Sequence, residues 1–98
     1  MRIVAGEFKS RILKNANSRA THPMSEKIRG ALFNSLGDIT GLVVLDAFAG
    51  TGAVGVEALS RGAEKVYAVE INSDAFDVLQ ENRDLITDES RMSVHRAN

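Results

Sequence analysis

The feature that most constrains this chain is a pair of short apolar runs, each ending in a carboxylate. Leu42-Val43-Val44-Leu45 ends at Asp46, and Val66-Tyr67-Ala68-Val69 ends at Glu70. Between them lies a glycine loop, Gly50-Thr51-Gly52, that runs into a short helical stretch. Apolar runs of this length, bounded by turn residues and separated by one helix, are the signature of buried parallel strands in a β-α-β unit. Acids and glycines at the ends of such strands point to a site for a nucleoside-bearing cofactor.

The rest of the chain extends this unit. Leu42–Asp46 is the first expected strand, Ala53–Ser60 a helix stopped by Gly62, and Lys65–Glu70 the second strand. Asn72 or Ser73 caps a further helix, with Asp74 and Asp77 at its positive end and Ala75, Phe76 and Leu79 as its buried stripe. Met92–Arg96 is a third, weaker strand. Upstream, Ser25 is the expected N-cap of a helix whose stripe is Ile28, Ala31, Leu32 and Leu36, and Gly37 ends it. His22-Pro23 disfavours helix before that point. Arg2-Ile3-Val4-Ala5 and Arg11-Ile12-Leu13-Lys14 read as the arms of a hairpin, followed by a polar linker from Asn15 to Thr21. The fold class is α/β: an incomplete Rossmann-like sheet preceded by a β-hairpin and a helix. Because the first strand is apolar throughout, it is expected to be central, with helices on both faces of the sheet. Residues 1–21 form a basic hairpin with its linker, and residues 22–98 the cofactor-binding half-domain.

Charge divides along the same line. Residues 1–30 carry seven bases against two acids, a net of +5, and residues 31–98 carry −6. A basic end on a near-neutral chain points to a polyanion, and a solvated hairpin surface accounts for the same charge equally well. Arg2, Lys9, Arg11 and Lys14 on the hairpin are the candidate RNA contacts. Phe8 among them offers a ring for base stacking or for inward packing. The chain has no cysteine, which excludes disulfides and thiolate metal sites. No metal is expected. No run approaches the ~20 apolar residues of a membrane span, and the first residues lack the pattern of a signal peptide, so a cytoplasmic location is expected.

Gly50, Gly52 and Gly55 also spell G-x-G-x-x-G, with Glu70 twenty residues past Gly50. A dinucleotide site would place the first glycine at the strand end. Here Asp46 holds that position, and a carboxylate there repels a pyrophosphate. It suits a ligand with a positive end and no phosphate, such as S-adenosylmethionine. On this reading the glycines let the backbone pass close beneath the ligand, and Glu70 accepts hydrogen bonds from ribose hydroxyls.

Several stretches carry a family resemblance: Arg2–Gly6, Arg11–Lys14, Pro23–Asn34, Leu45–Ala63 and Val69-Glu70. Through them the chain resembles the N-terminal part of the bacterial 16S rRNA guanine-N2 methyltransferases of the RsmD type. The resemblance implies a class I methyltransferase fold, S-adenosyl-L-methionine as donor, and a guanine amine of 16S rRNA or the small ribosomal subunit as acceptor. By position it implies that Asp46, Ala47, Phe48, Gly50, Thr51, Gly52 and Ala53 line the methionine half of the donor. Glu70 would take the ribose, Ile71 would lie against the adenine, and Asn98 falls near an adenine-contacting position. Through the same resemblance Arg29 joins the candidate contacts, facing RNA or the cofactor's carboxylate.

The chain departs from the family pattern at Ser10, where glycine is usual, a change expected to matter little, and at His22 and Met24. It also has a single proline, Pro23. The Asn/Asp-Pro-Pro-Tyr/Phe loop with which amine-methylating relatives hold the flipped base is therefore absent. No catalytic residue is expected within these 98 residues, which read as a fragment of a longer enzyme, inactive alone. The third strand is expected to be an edge with exposed apolar surface, favouring self-association. Two other classes compete: an RNA-binding module with a relic pocket, and half of an NAD-dependent oxidoreductase.

Overall fold

In the computed structural model, residues 1–16 and 24–97 are described, and they build one parallel sheet with helices on one of its faces. In chain order the elements are α1 (Glu26–Leu36), β1 (Val43–Asp46), α2 (Ala53–Ser60), β2 (Lys65–Glu70), α3 (Ser73–Ile86) and β3 (Met92–Arg96). The strands lie in the order β1-β2-β3, all parallel, with Val44 opposite Val66 and Val66 opposite Met92. The three expected helices and three expected strands are found, β1 beginning at Val43 instead of Leu42, whereas the hairpin arms form no strand, only a single bridge. His22-Pro23, most of the linker and Asn98 lie outside the described residues.

Strand alternation gives the sheet two unlike faces. Val44, Asp46, Val66, Ala68, Met92 and Val94 share one face in register. α2 packs over β1 and β2, and α3 over β2 and β3. Both helices sit on that same face: a Cβ on Gly55 of α2 would lie 3.0 Å from Val66 and 3.1 Å from Met92, and one on Gly52 would lie 2.6 Å from Leu79 of α3. Among the described residues, no helix covers the opposite face. Val43 is 61%, Leu45 68% and Tyr67 41% exposed. The expectation of a central first strand with helices on both faces is thus corrected. Among the described residues β1 is an edge strand, and its apolar residues have a partner layer on one side alone. β3 is an edge as expected, but its apolar Met92 and Val94 face the helices, so the exposed apolar surface belongs to β1 and β2.

α1 also turns differently from its expected stripe. Ser25 caps it as predicted, its Oγ accepting the Ile28 amide at 3.1 Å. The buried residues, however, are Arg29, Gly30 and Phe33, while Ile28, Leu32 and Leu36 are exposed. The rotation follows from a buried ion pair at Arg29, which outweighs the apolar periodicity. Gly30, which breaks the helical pattern, faces the hairpin: a Cβ there would lie 3.4 Å from Val4.

The hairpin is tied by one antiparallel bridge, Arg2 to Ile12, and by the amides of Ile3, Ser10 and Leu13 donating to Arg11, Ile3 and Met1 carbonyls. It packs along α2 and α3. At its turn, Gly6 presses against the end of α2, where a Cβ would fall 1.9 Å from the Ser60 carbonyl oxygen. Ser60 answers with its whole polar complement: its carbonyl accepts the Glu7 amide, its hydroxyl accepts the Phe8 amide and donates to the Ala5 carbonyl. Ser10 adopts φ +72°, a left-handed conformation that strains a residue with a Cβ. The serine in place of the usual glycine therefore carries a cost, contrary to the expectation that it matters little.

Candidate functional site

The loop between β1 and α2 is held from below by β2. The Ala49 amide donates to the Val69 carbonyl at 2.9 Å, and the Gly50 amide to Glu70 Oε1 at 2.7 Å. Glu70 Oε2 accepts the Asn72 amide at 2.8 Å, and Asn72 in turn caps α3 by accepting the Ala75 amide at 2.9 Å. One carboxylate thus pins both the glycine loop and the entrance of α3. Each of its oxygens keeps a second lone pair for a ligand hydroxyl.

Asp46, at the end of β1, is the contrasting acid. Its Oδ2 is buried with no hydrogen-bond partner, and no cationic side chain of the described residues pairs with it. Burial pushes its carboxyl above the usual range; the Phe48 amide works against that shift and the Glu70 charge adds to it. A buried, unsatisfied anion beside a loop is a site in deficit of a donor, and an ammonium or hydroxyl would supply it.

The loop residues named from the sequence divide into two sets. Ala47 and Phe48 are exposed, Phe48 at 92%, as is Ile71 at 62%, and Gly50 is half-buried. Thr51, Gly52 and Ala53 are buried. The Thr51 hydroxyl faces Met1 Sδ at 3.9 Å, and its carbonyl accepts from the Asn82 amide at 2.8 Å. The side chains of Thr51 and Ala53 therefore do not line an open surface. Gly52 corrects the expected role of the glycines. Its φ of +91° favours glycine, and its missing Cβ makes room for the protein's own Leu79 and Met92, not for a ligand.

The basic residues are also sorted by the structure. Lys9 and Arg2 are exposed. Lys14 pairs with Glu81 at 2.9 Å, both side chains being more than half exposed. Arg11 donates to the Leu85 carbonyl at 3.3 Å and lies over the Phe8 ring, which Arg91 approaches as well. Phe8 is buried and packs inward. Lys9 belongs to the hairpin turn, which docks at the Ser60 end of α2, about 12 Å of helix away from the loop. Arg29 must be withdrawn as an RNA contact. It is fully buried, and its Nε donates to Glu57 Oε1 at 3.1 Å.

Glu57 was not singled out by its sequence. It is fully buried, and four donors converge on it: the Val4 amide and Arg29 on Oε1, the Ala5 amide and Arg61 on Oε2. Burial raises its pKa, but the four hydrogen bonds together outweigh burial and hold it below the ordinary carboxylate range. Asn82 was missed too. It is fully buried, accepting the Lys14 amide at 2.8 Å and donating to the Lys14 carbonyl at 3.0 Å as well as to Thr51. Both had a signal: a lone acid in a helix otherwise apolar up to its terminal Ser60, and a lone amide on the Ala75-Leu79 stripe.

Comparison with known proteins places the chain in a family and a fold. The family model described as "Conserved hypothetical protein 95" matches residues 1–98. Ribosomal RNA small subunit methyltransferase D of Haemophilus influenzae is 39% identical over 83 residues, covering 84% of this chain and 43% of that protein. Its Escherichia coli namesake is 38% identical over 73 residues, covering 74% of this chain and 37% of that protein. The chain thus spans less than half the length of these relatives. Among solved structures, the Escherichia coli chain described as "Putative methyltransferase yhhF" superposes with a TM-score of 0.87 at 31% identity, over 100% of this chain and 52% of that one. The sheet with its one-sided helices is thus the N-terminal part of a class I methyltransferase fold, and the chain belongs to the Conserved hypothetical protein 95, or RsmD, family.

Proposed function

We propose that this chain is the donor-binding part of an S-adenosylmethionine-dependent methyltransferase that modifies the exocyclic N2 amine of a guanine in 16S rRNA. The observation that carries the proposal is the buried, unpartnered Oδ2 of Asp46 beside a loop pinned by Glu70. When bound, S-adenosylmethionine supplies an electrophilic methyl group on a sulfonium centre. Asp46 accepts a hydrogen bond from the ligand's ammonium and balances its positive charge. Glu70 uses its remaining lone pairs for the ribose hydroxyls, exposed Phe48 lies along the methionine half, and exposed Ile71 offers apolar cover to the adenine. A pyrophosphate would meet Asp46 and Glu70 together, which disfavours the NAD reading.

The basic hairpin and linker of residues 1–21 serve in this reading as an RNA arm on the donor-binding part, residues 22–98. Exposed Arg2, Lys9, Arg11 and Lys14 are its phosphate contacts. The guanine amine's lone pair is delocalised into its ring, so transfer needs acceptors that hold the amine hydrogens in line with the methyl group. No Asn/Asp-Pro-Pro-Tyr/Phe segment occurs here to supply them. The 98 residues are therefore expected to bind the donor without transferring its methyl group to RNA. The test compares binding of S-adenosylhomocysteine by the wild type and Asp46→Ala, alongside a labelled-methyl assay on undermodified small-subunit RNA. Losing a hydrogen bond to a charged group should cost about 1.5–3 kcal/mol of binding. Equal affinity of the two proteins would remove Asp46 from the site, and methyl transfer by the purified chain would place acceptor groups within it.

A further inference from the structure

The open end of the hairpin and the glycine loop meet at one residue. Met1 and Leu13 exchange hydrogen bonds across that end: the Leu13 amide donates to the Met1 carbonyl at 2.7 Å, and the Met1 ammonium to the Leu13 carbonyl at 3.3 Å. Met1 Sδ receives the Thr51 hydroxyl. The next residue, Lys14, is bound through both its amide and its carbonyl by Asn82, whose Nδ2 also holds the Thr51 carbonyl. The Asn82 side chain makes three hydrogen bonds to two segments far apart in sequence and, among the described residues, none to its own helix neighbours. Its burial is complete.

We propose that Asn82 is a positioning residue for the donor site: it sets the backbone of the loop through Thr51 and locks it to the hairpin at Lys14. The inference rests on the donor-binding reading above. The physical argument is one of conformational choice. Loop backbone tolerates many arrangements, and two peptides before α2 the Thr51 carbonyl would be buried without a partner if Asn82 were absent. Satisfying it fixes the peptide plane between Thr51 and Gly52, and with it the direction of the amides that enter α2. Because the same Nδ2 also serves Lys14, a shift of the hairpin is felt at the loop. Preorganisation of this kind acts on ligand affinity, since a loop already in place loses less freedom on binding.

The test uses the full 98-residue chain and S-adenosylhomocysteine as probe. Asn82→Asp keeps an acceptor for the Lys14 amide but removes the donor to Thr51, and Asn82→Leu removes both. Ser60→Ala is the control, because it loosens the hairpin at its turn, at the far end of α2 from the loop. Affinity is measured where far-UV circular dichroism shows each variant folded, and amide hydrogen exchange is followed at Gly50 and Gly52. The expected result is affinity at least tenfold weaker for both Asn82 variants, faster exchange at Gly50 and Gly52, and wild-type values for Ser60→Ala on both counts. Wild-type affinity and loop exchange in Asn82→Asp would overturn the proposal, as would an equal loss in Ser60→Ala. If the wild type binds no S-adenosylhomocysteine, the donor reading fails. Loop exchange then decides the clamp alone: faster exchange in both Asn82 variants and not in Ser60→Ala upholds it, and unchanged exchange refutes it.

Discussion

Replacing Glu57 with glutamine changes one atom type and should remove a large fraction of the chain's stability. The carboxylate accepts four hydrogen bonds, two at each oxygen, at 2.9 to 3.1 Å. Glutamine keeps one oxygen and turns an NH2 group toward the other two donors. Two hydrogen bonds are lost and donor meets donor. The change also removes the one negative charge that faces Arg29, itself fully buried, with an Nη1 that has no partner among the described residues. Leaving a buried charge uncompensated costs about 3–5 kcal/mol. The whole stability of a domain this size is on the order of 5–15 kcal/mol, so Glu57→Gln should sit at or near the unfolding threshold at room temperature. Because Val4 and Ala5 bond to different oxygens, one of the two loses its acceptor whichever way the new amide turns, and the hairpin should release first. Urea titration followed by far-UV circular dichroism gives the loss, and hydrogen exchange at the Val4 and Ala5 amides gives its location. A loss below about 1 kcal/mol, or exchange unchanged at those amides, would refute the view that Glu57 joins hairpin, α1 and α2.

Other outcomes follow from the same structure. Ser10→Gly relieves the left-handed strain at φ +72°; against glycine's extra unfolded-state entropy the net gain should be about 0.5–1 kcal/mol, read as a higher urea midpoint. Glu57 and Asp46 should act oppositely on acid stability. Glu57, with its pKa lowered on folding, contributes stability that is present above the unfolded carboxylate value of ~4.3 and lost as pH falls through the folded value. Asp46, with its pKa raised, contributes below the unfolded value of ~3.9 and loses that contribution as pH rises through the folded one. Asp46→Asn should therefore stabilise the ligand-free protein at neutral pH while weakening donor binding; destabilisation there would show that its carboxylate has a partner. The uncovered sheet face should drive concentration-dependent association, and Leu45→Lys, at a site already 68% exposed, should shift sedimentation toward monomer without lowering the melting temperature.

The β-α-β-α-β order, the cap at Ser25, the cap at Asn72 or its neighbour Ser73 (the structure chooses Asn72) and the two strand-end acids were legible because each rests on local chemistry: periodicity, a short polar side chain, a turn glycine. What was not legible depends on contacts distant in sequence. Ile28, Leu32 and Leu36 have the spacing of a buried stripe, yet Arg29 takes the inside because Glu57, 28 residues away, is there to receive it. Leu42 to Leu45 reads as a strand covered on both sides, but covering layers come from elsewhere in a fold, and composition cannot say which are present. Gly52 was assigned to ligand clearance, when the side chain that needs its space is Leu79, 27 residues on. The acids Asp46 and Glu70 have the same place at their strand ends. Only the geometry distinguishes them: Glu70 spends both oxygens on backbone amides, while Asp46 keeps one buried oxygen unused.

That unused oxygen makes the choice of ligand directly measurable. Isothermal titration of the folded chain with S-adenosylhomocysteine and, separately, with NAD compares a ligand with an ammonium and no phosphate against one with a pyrophosphate. The account predicts binding of S-adenosylhomocysteine and at least tenfold weaker binding of NAD. Equal or tighter binding of NAD would contradict it.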